Sequence, residues 1–172
     1  DGGTFPFLGT VPAVATVNAN GWLALKPVSV SSSFTNKSVP SASAPSGSVL
    51  APFWDDLADP AANGAGANVY WRRLAANEDP QNPGAHWIIQ WSHATFFSSL
   101  SAPADLNFEV KLFDTGVIEF HYGGLSSQKD PARAAGGGAT VWVEGLSGLQ
   151  ALVKSVNKPL VQPGTALRFT PG

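Results

Sequence analysis

A chain of 172 residues without cysteine is long enough for one domain, because at this size roughly 70% of the unfolded surface can be buried and no disulfide staple is needed. A net charge of -2, 13% charged residues and no run of like charge remove the basic footprint of a nucleic-acid binder. Apolar runs end after about half a dozen residues, far short of the roughly 18 that span a bilayer, and the lack of methionine marks a processed or excised piece of a larger protein.

Eighteen glycines and 14 prolines punctuate the chain so densely that no window beyond about ten residues keeps a helical period. In chain order the pattern predicts strands at Ala13 to Asn18, Trp22 to Lys26, Ser48 to Phe53, Asn68 to Leu74 and His86 to Ser92. Further strands are predicted at Leu106 to Asp114, Val117 to Tyr122, Ala139 to Glu144, Ala151 to Ser155 and Ala166 to Thr170. Short strands at this spacing imply an all-β fold, an antiparallel β-sandwich or jelly roll with long surface loops, in a single domain over residues 1–172. Asn20-Gly21 is the dipeptide of a type I′ turn and predicts a hairpin between the first two strands. Asp114-Thr115-Gly116 predicts a three-residue hairpin loop with Gly116 left-handed. That register pairs Leu112 with Ile118, Val110 with Phe120 and Phe108 with Tyr122 on one face, and Lys111 with Glu119 and Glu109 with His121 on a solvated one. The Ser-rich stretch Ser31 to Gly47, with Pro40 and Pro45, reads as a surface excursion that buries little apolar area.

The run Leu50-Ala51-Pro52-Phe53-Trp54-Asp55-Asp56-Leu57 drives an apolar strand into two adjacent carboxylates. Neighbouring residues of an extended segment point to opposite faces, so the pair is poorly placed to flank one bond. Three roles remain open. Asp55 or Asp56 accepts backbone N–H bonds at a tight turn; Asp55, Asp56, Asp59 and Asn63 with loop carbonyls supply the oxygens of a Ca2+ site; or one acid works with Glu119 or Glu144 as a hydrolase. His86, His93 and His121 lack zinc spacing, no G-x-S-x-G elbow occurs, and Gly123-Gly124 and Gly136-Gly137-Gly138 read as loop. Of six tryptophans, Trp54, Trp87 and Trp91 read as core and Trp22 packs behind its turn. Trp71, Trp142 and Glu144 are the candidates for ligand contact. With Val141 and Val143 inward, Trp142 points outward beside Thr140 and Glu144, where it either stacks a sugar ring or is covered by a loop or second sheet.

The segments Val17 to Leu25, Leu50 to Leu57, His86 to Trp91 and Phe108 to Phe120, in this order, resemble the nidogen-type extracellular domain and its bacterial "APFWDDL" relatives over nearly the whole chain. The resemblance implies a non-catalytic recognition or adhesion module of a secreted or cell-surface bacterial protein. Its ligand would be a protein or glycan outside the cell. The alternatives are a calcium-assisted carbohydrate-binding domain and the hydrolase above. In the family a strand usually precedes the Phe5-Pro6-Phe7-Leu8-Gly9 element, whereas this chain opens at Asp1-Gly2-Gly3. The resemblance thus implies an open sheet edge, filled by another chain, a parent segment or the Ser31 to Gly47 stretch.

Overall fold

In the computed structural model, residues 4–28, 34–41, 44, 47–61 and 67–171 are described. They form eleven strands: β1 Thr16–Asn18, β2 Trp22–Ala24, β3 Val49–Trp54, β4 Leu57–Ala58, β5 Asn68–Leu74, β6 His86–Phe96, β7 Asp105–Phe113, β8 Ile118–Ser126, β9 Thr140–Glu144, β10 Ala151–Val156 and β11 Thr165–Phe169. One sheet has the order β1-β2-β3-β9-β10; the other runs β11-β8-β7-β6, with β4 and β5 both pairing β6. Every pairing is antiparallel. The chain is an all-β sandwich.

Loop chemistry sets the two hairpins. Asp114 to Gly116 connects β7 to β8 in the predicted register, with Gly116 at φ 82° and its N–H donating to the Phe113 carbonyl at 2.8 Å. The β1–β2 turn differs from the type I′ expectation. Asn18 pairs with Trp22, leaving Ala19, Asn20 and Gly21 in the loop, with Gly21 alone at positive φ. Glycine is required there, since a Cβ would lie 1.9 Å from the Phe53 carbonyl oxygen.

The inner faces meet in a core that includes Leu23, Leu50, Phe53, Trp91, Phe108, Val110, Phe120 and Val141. Strand β3 is buried throughout because it faces two cores. A register shift between Ala51 and Trp54 reverses its phase around Pro52, so Leu50 and Phe53 point inward while Val49, Ala51 and Trp54 point outward. The outward set joins Trp22, Ala24 and Trp142 in a second cluster, with Trp54 and Trp142 ring centroids 6.4 Å apart. Val28, Val39 and Ala44 cover it. The Ser-rich stretch therefore buries a sheet face, contrary to expectation, and Asn36 and Lys37 tie it to the Thr140 hydroxyl.

Two strands run four residues beyond their predicted ends. Strand β6 continues past Ser92 through a bulge at His93, φ 51°, and pairs its far end with β4. Strand β8 carries Gly123 and Gly124, which sequence assigned to a loop. Phe5-Pro6-Phe7 leads into a turn at Leu8-Gly9, closed by the Phe7–Thr10 bridge, and joins neither sheet, while both phenylalanines lie in the core.

Candidate functional site

The acidic turn after β3 is held by a cation. Asp55 is 4% exposed and receives the Arg133 Nε–H at 3.0 Å and Nη2–H at 2.8 Å, besides the Asp56 N–H at 2.8 Å. Arg133 comes from the irregular helical turn Arg133–Gly137, and its guanidinium carbon lies 4.1 Å from the Phe96 ring centroid. The hydrogen bonds to Asp55 push the Arg133 pKa up. Burial, then the neighbouring Asp55 charge, raises Asp56 against the opposing pull of Arg133. Asp59 is buried and accepts from the Ala61 N–H at 2.8 Å and Asn68 Nδ2 at 3.0 Å. Asn63 lies outside the described residues. Among the described residues no three histidine or carboxylate side chains form a metal-holding group.

Trp142 and Glu144 sit on the outer face of the smaller sheet as predicted, yet they are 0% and 1% exposed. The covering segment turns an outward residue into a buried one, so Trp142 offers no open ring face. The Gly47 N–H donates to Glu144 Oε2. Burial raises the Glu144 pKa, with this bond and Lys26 opposing. Glu119 is on the outer face of the other sheet, ion-paired with Arg168 and within 2.7 Å of His121 Nε2. His121 stands opposite Glu109 in register, but its hydrogen-bond partner is Glu119 on its own strand. Lys111 and Glu119 are each only 6% exposed, so that face is less solvated than expected. Lys111 pairs with Asp79 at 3.0 Å, a contact that holds the Asp79 carboxyl below the ordinary range.

Trp71 is the exposed tryptophan. It lies on the inner side of β5, opposite Ile89, but is 70% exposed. Strand β1, the neighbouring edge of the smaller sheet, is three residues long, and residues 11–15 approach without strand structure. This leaves a mouth of about 430 Å³ between the sheets, lined by Pro12, Val14, Val17, Trp71, Trp87 and Ile89. Trp87, expected in the core, is only half-buried, with its ring centroid 5.7 Å from that of Trp71. Arg73 lies 5.9 Å from the Trp87 centroid and pairs with Asp114 at 2.5 Å. Val14 is exposed at the opening, and Tyr70 is exposed on the outer face of β5. Sequence reasoning found Trp71 and missed Val14, Tyr70 and Arg73. The signal was the unbroken Tyr70-Trp71-Arg72-Arg73 run, which loads both faces of one strand with large side chains.

The description "NIDO related" belongs to the family model that matches residues 2–171, and the chain is a member of that family. No curated protein and no solved structure gave a match.

Proposed function

We propose that this NIDO-related domain is a non-catalytic recognition module of an exported bacterial protein and holds its ligand at the mouth beside Trp71. The observation that carries this reading is a tryptophan 70% exposed over an apolar mouth. Large aromatic groups anchor interfaces when they are desolvated, and an open aromatic patch marks such a place. Family membership supports an extracellular setting. Three of the four acids a hydrolase would use are engaged elsewhere, Asp55 by Arg133, Glu119 by Arg168 and His121, and Glu144 beneath the covering segment, and Asp56 is left without the second carboxylate that reaction needs.

The test is an array of defined oligosaccharides and extended peptides probed with the parent domain and with Trp71→Ala. Binding lost in the variant at an unchanged melting temperature supports the mouth. Equal binding by both proteins places the ligand elsewhere and ends this reading.

A further inference from the structure

Resting on that reading, we propose that β5 is a docking edge for an extended segment of a partner protein, which adds antiparallel to it with an apolar side chain in the mouth and an acidic one opposite Arg72. Strand β5 pairs β6 through seven consecutive residues without a register shift, and no described strand occupies its other side. At about 3.3 Å per residue this edge offers roughly 23 Å of backbone donors and acceptors. Open edges of this kind are templates for another strand, and proteins that avoid pairing blunt them.

The other edges are blunted. Strand β1 has three residues. Strand β10 shifts register between Val153 and Ser155, at Lys154. Strand β11 is a five-residue piece between Pro163 and Pro171. Strand β5 has neither bulge nor proline.

Register fixes the chemistry of the incoming segment. A residue opposite Trp71 points into the mouth with Trp71 and Trp87, and its two neighbours point outward opposite Tyr70 and Arg72. Arg72 is exposed and forms no ion pair among the described residues. The strand Asn68–Leu74 contains two arginines and no acid, so an acidic residue one place from the apolar anchor complements it.

The probe is the blocked heptapeptide Thr-Val-Glu-Phe-Thr-Val-Thr, whose phenylalanine falls opposite Trp71 and glutamate opposite Arg72. Amide exchange of β5 and tryptophan emission are followed together. The expected result is slowed exchange along β5 with an emission change, weakened about tenfold or more by Trp71→Ala. Exchanging the peptide glutamate for lysine should also weaken binding, and Arg72→Glu should invert that preference. Both substituted positions are exposed, and unchanged melting temperatures verify the fold. A peptide N-methylated at alternate amides should not bind. Equal binding of the N-methylated peptide, or an emission change with peptide or an oligosaccharide but no β5 protection, overturns strand addition and leaves the mouth standing. No protection at millimolar peptide overturns it as well. A dimer that protects β5 without peptide assigns the edge to a second copy instead, against the proposal.

Discussion

Arg133→Met tests whether the acidic turn is built for stability. Methionine keeps the aliphatic stem beside Phe96 but removes both bonds to Asp55 and the bond to the Ser98 hydroxyl. The Asp55 carboxylate then keeps the Asp56 N–H as its remaining donor. Breaking a fully buried pair costs about 3–5 kcal/mol. Here the Asp55 side chain is 6% exposed and that of Arg133 23%, so solvent screens part of the loss and about 2–3 kcal/mol is expected. For a domain of this size that lowers the melting temperature by about 4–12 °C. A second perturbation reaches the same contact from the backbone. Gly138→Ala would put a Cβ 2.8 Å from Asp55 Oδ2 and 3.0 Å from Arg133 Nε, so it should destabilise and be strongly non-additive with Arg133→Met. Thermal unfolding of the two single variants and the double variant, followed by circular dichroism at neutral pH, gives the coupling. A melting temperature lowered by less than about 2 °C in Arg133→Met, or simple additivity, would refute the reasoning.

Trp54→Ala removes a 1% exposed ring from the second cluster and should cost about 3–5 kcal/mol, read as a lower denaturant midpoint. Burial raises the Glu144 pKa, so its contribution to stability is present below the ordinary carboxylate value and is lost as pH rises through the folded value. Glu144→Gln lacks that loss, and its melting temperature relative to the parent should rise between pH 4 and about 7; a constant difference would contradict this. Chelator should leave the melting temperature unchanged, because Asp55 and Asp59 already accept from Arg133, Asn68 and backbone N–H groups. A drop on adding EDTA would restore the calcium reading.

The β7–β8 hairpin was legible because only one loop length places Leu112, Val110 and Phe108 on the same side as Ile118, Phe120 and Tyr122. The turn role of Asp55 was legible from its position, but its cation was not, since Arg133 is 78 residues away in sequence. Bulges hid the rest. The left-handed His93 interrupts the alternation of β6, so its last residues looked like loop and β4 had no visible partner. In Trp142 the alternation gave the correct face but could not choose between an open ring and a covered one. Facing outward is not the same as facing water when Val39 and Ala44 arrive from a serine-rich segment. A few apolar residues suffice to close a face, and composition averages them away.

The two outer faces then explain why the open apolar surface collects at the edges. That of the smaller sheet carries Trp22, Trp54 and Trp142 and is covered, whereas that of the larger carries Lys111 and Glu119 in ion pairs, with His121 hydrogen-bonded to Glu119, and needs no cover. Two such groups are the mouth beside β5 and, around β10, the exposed Leu146, Leu149, Leu152 and Val153. Strand β10 is apolar enough to pair with a neighbour, and Lys154 at its register shift is the feature that opposes this. Lys154→Val should therefore promote association through β10, seen as a concentration-dependent mass in light scattering, while Trp71→Ala in the same background leaves that mass unchanged. A Lys154→Val protein that stays as dispersed as the parent would show that the bulge alone guards the edge.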